Sequence, residues 1–253
     1  MNSPAPYVSV LMITFNHERC IARAIESVLE QEAPFPFELV IGEDCSTDGT
    51  RAVIEDYVRR YPGKIRPLFR ERNLGCCPNF IETLRACRGR YVAWLDGDDY
   101  WIPRDKLARQ AAFLDENLDY AICSGRARVF HEDGSQEPWD YPDWTRTEFT
   151  VDDLIRENFI PTCSVMFRHG LLLEIPEWLQ QMPFTDWPLF ISLSRLGDIH
   201  VIPEALAAHR VHGKGVWNQQ TPEQMVEARE QFYRQLAAGL PDLAEAIGKR
   251  PAG

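Results

Sequence analysis

A chain of 253 residues with a formal net charge of -11 is long enough to bury a core without disulfide support, and too acidic to hold nucleic acid by neutralising phosphates. Hydrophobic residues at 45% exclude an intrinsically disordered chain, and no run reaches the roughly 18 apolar residues of a membrane span. Seven cysteines, an odd number with no C-x-x-C pair, read as reduced thiols; with a start that lacks a basic n-region they predict a cytoplasmic protein, peripheral membrane contact being left open.

The first hundred residues alternate two periodicities. "YVSVLMIT", from Tyr7, is a short β-rich apolar run, and "ERCIARAIESVLEQ" then places Ile21, Ala24, Ile25, Val28 and Leu29 at helical spacing. "FELVIGE" predicts a second strand, "DGTRAVIEDYVRRYP" a helix ended near Pro62, and "KIRPLFR" a third strand. "PNFIETLRACRG" predicts a helix stopped at Gly89, and "RYVAWLD" a fourth strand. Strands separated by single helices make right-handed βαβ units and a largely parallel sheet.

Past residue 100 the pattern is irregular. "RDKLARQAAFLDEN" looks helical and "YAICSGRARVF" looks like a strand, while 131–150 is expected as a polar and aromatic loop. Its Trp139, Tyr141 and Trp144 either stack on a sugar ring or cap the core. The last segment, 221–247, predicts one amphipathic helix with Met225, Val226, Phe232, Leu236 and Leu240 on or near one side, packed back on the domain. No repeat or low-complexity tract interrupts the chain, so one domain over 1–253 is expected.

In parallel sheets ligands sit beyond the carboxyl ends of the strands. Polar residues gather there: Thr14 and Asn16 after the first strand, Asp44, Ser46 and Asp48 after the second, and Asp96 and Asp98 after the fourth. The last pair lies in "YVAWLDGDDYW", where three carboxylates crowd together and Gly97 lets the backbone bend between two of them. Such a cluster is either a solvated turn or a cation site, with Asp99 structural. Neither a G-x-G-x-x-G after the first strand nor a G-x-x-x-x-G-K-[ST] is present, so a metal-bridged diphosphate is the remaining way for this acidic chain to hold a nucleotide.

The ordered set "VSVLMITFN", "VIGEDCSTDGT", "NLG", "RYVAWLDGDDYW", "CSVMFR", "FTDW" and "HRVHG" resembles the family 2 glycosyltransferases of GT-A fold over roughly residues 7–217. The resemblance implies an α/β fold with one Rossmann-like, mostly parallel sheet flanked by helices. It assigns 7–100 to a nucleotide-sugar half and 101–217 to an irregular acceptor and catalytic half, followed by the C-terminal helix. It implies that Thr14, Phe15 and Asn16 line the nucleotide site and that Asp44 accepts a hydrogen bond from the base. Asp96 faces ribose or phosphate, Asp98 ligates Mn2+ or Mg2+ with His212 completing the site, and Arg210 neutralises the leaving phosphates. Asp186 of "FTDW" corresponds to the general base of inverting members, although a helix N-cap is its bland alternative. Thr185, Phe15 and Glu43 depart from the family pattern.

The implied reaction is an inverting sugar transfer from a nucleotide diphosphate sugar, a UDP-sugar first, to an acceptor hydroxyl in surface polysaccharide or glycan assembly. A sugar nucleotidyltransferase is the rival enzyme, but "TFNHERC" offers only His17 and Arg19 in place of a glycine-rich basic loop. A non-catalytic nucleotide-sugar binder is the rival outside enzymology. The acceptor is left open.

Overall fold

The computed structural model describes residues 5–171, 175–213 and 220–249; the expected domain's ends and positions 172–174 and 214–217 of its acceptor half lie outside them. The chain opens with β1 (Val8–Thr14), α1 (Ile21–Leu29), β2 (Phe37–Glu43), α2 (Thr50–Arg60), β3 (Ile65–Phe69), α3 (Cys76–Ala86) and β4 (Tyr91–Asp96). β1 is buried along its whole length, so "VSVLMIT" is a continuous apolar run and not an alternation. Val8, Val10 and Met12 enter one core layer with Ile21 and Ile25 of α1, whereas Leu11 and Ile13 enter the other with Phe80 and Leu84 of α3. The pairs β1–β2, β2–β3 and β1–β4 are all parallel, as single-helix crossovers require.

The second half continues with β5 (Tyr100–Trp101), α4 (Lys106–Glu116), β6 (Tyr120–His131), β7 (Trp139–Tyr141), β8 (Glu148–Phe149), α5 (Val151–Arg156) and β9 (Met166–Arg168). After α6 (Glu177–Gln180) and α7 (Asp186–Ser194) comes the long β10 (Asp198–Val211). The main path of the sheet runs β3-β2-β1-β4-β9-β6-β10-β5. β9 is antiparallel to both β4 and β6, and β6 is parallel to β10. Two antiparallel steps restore the original direction, so β10 ends at the same edge of the sheet as β1, β2 and β4.

Residues 131–150 are not one irregular loop. β7 pairs with β6 and β8 with β10; edge strands of two or three residues are too short to show a period. Of their aromatics, Trp144 packs on Phe149 and Phe159 as a cap on the core, whereas Trp139 is exposed.

The expected C-terminal helix is broken into α8 (Pro222–Gly239) and α9 (Ala244–Gly248), because Pro241 carries no amide hydrogen to continue the first. α8 buries Phe232, Tyr233 and Leu236, with Phe232 stacked 4.5 Å from Trp187 of α7, but Met225 and Val226 are exposed and do not share that face. No described helix is long and apolar enough to cross a membrane.

Candidate active site

Three carboxylates leave β4 within four residues, and each has a different partner. Oδ1 of Asp96 accepts a hydrogen bond from Trp94 Nε1 at 2.9 Å. Asp99 accepts one from the Arg210 backbone N–H at 2.8 Å and faces His209 Nδ1 at 3.1 Å, bracing the turn against β10. Asp98 turns outward, with Oδ2 3.0 Å from His212 Nε2 and 3.7 Å from His17 Nε2.

These partners separate the charges. Burial pushes the Asp96 carboxyl well above the usual range, and repulsion from Asp98 and Asp99 adds to the rise. For Asp98, burial is overcome by the His212 hydrogen bond and the charges of His17 and His212, so its carboxyl is held low. Asp99 is raised by burial although His209 opposes the shift, and His209 in turn is lifted to about 9, the Asp99 hydrogen bond outweighing burial. One ionised carboxylate therefore faces outward between two imidazoles. His17 Nε2, the Asp98 carboxylate and His212 Nε2 can converge on one cation, their ligand atoms all lying within 4.8 Å of one another.

Gly97 serves close approach more than bending. A Cβ there would lie 2.6 Å from Thr14 Oγ1 and 2.8 Å from Thr14 Cβ, so only glycine lets the end of β4 lie against the end of β1.

The loop after β2 is tied to the loop after β1. Asn16, at φ 57, donates its backbone N–H to Ser46 Oγ at 3.0 Å, and its Oδ1 accepts from Thr47 N–H at 2.8 Å. Asp44 is buried and accepts from two backbone amides, Leu74 at 2.8 Å and Gly75 at 2.9 Å, which fixes the turn into α3. Glu43 is buried as well; Oε1 accepts from Ser46 N–H at 2.6 Å, while Oε2 has no partner among the described residues. Phe15 projects beside this loop with 40% of its surface exposed.

On the other half of the sheet, Asp186 is the first residue of α7, and its Oδ2 accepts from Asn158 Nδ2 at 2.8 Å. Burial raises its carboxyl, and the Trp187 backbone and Asn158 hydrogen bonds only partly oppose this. The Cys76 thiol at the start of α3 is also pushed up, by burial first and then by Asp96, Cys77, Asp186 and Asp44. Acidic residues of both halves thus lie close enough to act on this one thiol. Arg210 donates through Nε to the Asp98 carbonyl at 3.0 Å and through Nη1 to Glu132 at 3.3 Å.

The profile of glycosyl transferase family 2 matches residues 9–172. The chain belongs to glycosyl transferase family 2. An uncharacterized protein of Mycobacterium tuberculosis is 34% identical to this family 2 member over 241 residues, 95% of this chain and 67% of that one. The putative teichuronic acid biosynthesis glycosyltransferase TuaG of Bacillus subtilis is 33% identical over 214 residues, 83% of this chain and 81% of that one. Staphylococcus aureus TarS in complex with UDP-GlcNAc shares the fold at a TM-score of 0.69, with 23% identity over 91% of this chain and 66% of that one. The family 2 chain thus spans about two thirds of the mycobacterial and TarS chains.

Of the residues expected at the site, the fold brings Asp98, His212 and Arg210 into direct contact and sets Asp96 beside them. Thr14 lies against them through Gly97. Asn16 and Asp44 are engaged by backbone amides of neighbouring loops, and Asp186 stands apart on α7. Sequence reasoning weighed His17 only as part of a basic loop and passed over Asn158. His17 had a signal, since it directly follows the Thr14-Phe15-Asn16 turn; Asn158, in the unpatterned "ENFIP", had none.

Proposed function

We propose that this protein is an inverting glycosyltransferase that moves a sugar from a UDP-sugar to an acceptor hydroxyl during assembly of a surface polysaccharide. Two carboxylates shifted in opposite directions support this reading. The imidazoles beside Asp98 hold its carboxyl low, which favours the charged form a cation needs, whereas burial raises that of Asp186, which makes it the more basic of the two. UDP-GlcNAc bound to TarS supports the donor class, and the name of TuaG supports the setting.

The residues divide the work by charge. Asp98 and His212 would hold Mn2+ or Mg2+; when bound, the ion supplies positive charge against the diphosphate. Arg210, fixed by the Asp98 carbonyl, adds a second cation beside the leaving group. Asp44, while holding the Leu74 and Gly75 amides, keeps acceptor capacity for the imide N–H of the base, and Thr14, Phe15, Asn16 and Asp96 border the nucleotide. Asp186 takes the proton of the acceptor hydroxyl as that oxygen attacks the anomeric carbon opposite the diphosphate.

A thermal-shift series tests this. UDP near 100 Kd should stabilise the wild type by roughly 2.7 kcal/mol when Mn2+ is present, and Asp98→Ala should lose the metal-dependent part. Asp186→Asn should keep that shift and lose sugar transfer. No shift with any nucleoside diphosphate, with or without metal, overturns the proposal.

A further inference from the structure

We propose that His17 is a third protein ligand of the Asp98 cation site, and that its imidazole makes the site select Mn2+ over Mg2+. The inference rests on the proposed function in placing a cation at Asp98, but it concerns which ion is held and by which atoms.

Local structure fixes where His17 points. Asn16 lies in the left-handed region at φ 57, which turns the chain sharply after β1, and the His17 backbone N–H donates to Thr50 Oγ1 at 2.8 Å. Nδ1 of the ring lies 3.2 Å from Thr14 Oγ1. A neutral imidazole that binds a cation through Nε2 carries its proton on Nδ1, and the Thr14 hydroxyl stands where an acceptor for that proton is needed. The remaining nitrogen, Nε2, faces Asp98 Oδ2 at 3.7 Å, while His212 Nε2 approaches the same oxygen at 3.0 Å.

The spacing suits a shared ion. With bonds of about 2.1 Å, neighbouring ligand atoms around one cation lie about 3.0 to 3.5 Å apart, close to both distances. The rings of His17 and His212 stand at 88° with centroids 6.2 Å apart, so they approach Asp98 from different directions and do not stack. The side chains of His17, Asp98 and His212 keep 19%, 18% and 13% of their surface exposed, which leaves an open side for phosphate oxygens. A plain ion pair needs only one of these histidines.

Two imidazole nitrogens and one carboxylate are a poor match for Mg2+, which takes oxygen ligands and keeps its waters. Affinity for imidazole rises along the first transition row, so the same set favours Mn2+, and Co2+ more strongly. His17 is the ligand that shifts the balance, because without it the set is one nitrogen and one carboxylate.

The test uses the metal alone, on the full chain without nucleotide or acceptor. Calorimetric titration of the wild type should give one Mn2+ site at least about tenfold tighter than for Mg2+. Pulsed electron paramagnetic resonance of the bound Mn2+ should show two imidazole nitrogens. His17→Ala should weaken Mn2+ by at least about tenfold, leave Mg2+ nearly unchanged and show one nitrogen. His17→Asn, which keeps polar bulk, guards against a variant that fails to fold. A wild-type spectrum with one nitrogen, or an unchanged Mn2+ affinity in both variants, overturns the role of His17 and leaves the glycosyltransferase reading intact. If the wild type holds neither ion, and UDP still binds without metal, the cation site itself falls and the inference falls with it.

Discussion

Nδ2 of Asn158 lies 2.8 Å from Oδ2 of Asp186 and donates to it. The contact occupies one carboxylate oxygen at the head of α7, where backbone N–H groups of Asp186 and Trp187 also reach the carboxylate. It also opposes the burial that raises the Asp186 carboxyl. With Asp186 as the base proposed above, which would act only when ionised, a raised pKa would move the acid limb of the activity profile upward, and activity would be lost as pH falls through it. Asn158→Ala removes an opposing hydrogen bond and should move that limb further up, so that kcat falls most on the acid side of the profile. A pH–rate profile of both proteins measures it; an unmoved limb refutes the coupling.

Gly97→Ala should damage both fold and site. The new Cβ would stand 2.6 Å from Thr14 Oγ1 and 3.0 Å from Ile21 Cδ1, so the end of β4 must move away from β1. Overpacking of this kind costs about 1 to 3 kcal/mol. Urea unfolding should show that loss, and Mn2+ affinity should fall because Asp98 moves with the turn.

Asp44 should prove structural before it proves a nucleotide contact. Asp44→Ala leaves the Leu74 amide without its partner and the Gly75 amide with Asn73 Oδ1 alone, a loss of about 1 to 3 kcal/mol measurable by urea unfolding with no ligand present. Asp44→Asn keeps one acceptor oxygen and should recover part of that stability. Equal stability of wild type and Asp44→Ala would contradict this account.

Lys106 offers a pH signature away from the candidate active site. It is fully buried, its Nζ donates to Gln110 Oε1 at 2.7 Å and sits 4.2 Å from the Trp101 ring centroid, and burial pushes its pKa from 10.5 down to about 7. Between those values the unfolded chain holds a proton that the folded protein does not, so the penalty shrinks as pH rises. It is complete below about 7, where it reaches roughly 5 kcal/mol, and absent above about 10.5. The stability of Lys106→Met relative to wild type should therefore fall with rising pH across that window, whatever constant cost the mutation adds through Gln110. A flat difference from pH 7 to 10.5 would sink the prediction.

The half of the fold that carries β1 to β4 was legible because its strands are mostly short apolar runs and its helices return at regular intervals. α1 starts at Ile21 and not at Glu18, since the preceding turn is held by contacts such as His17 N–H to Thr50 that no periodicity encodes. β7 and β8 escaped notice because edge strands so short carry no alternation, and the break at Pro241 was hidden by apolar residues continuing on either side. At the site, residue types at strand ends pointed to Asp98, and the family resemblance pointed to His212. What each acidic residue touches was not readable. Asp44 and Asp99 look alike in sequence to Asp98, yet backbone amides engage both, and only the fold says so.

β10 gives the cation site a particular place in the order of assembly. β1 to β4 pair among themselves through short crossovers, whereas Asp98 reaches His212 across 114 positions of chain. Contacts that close long loops carry the larger entropic cost and form after local ones. As the polypeptide emerges during synthesis, the parallel quartet can settle while the partner of Asp98 has yet to be made. Cation affinity would then mark completed folding, and a chain stopped short of β10 would expose Asp98 without its second imidazole.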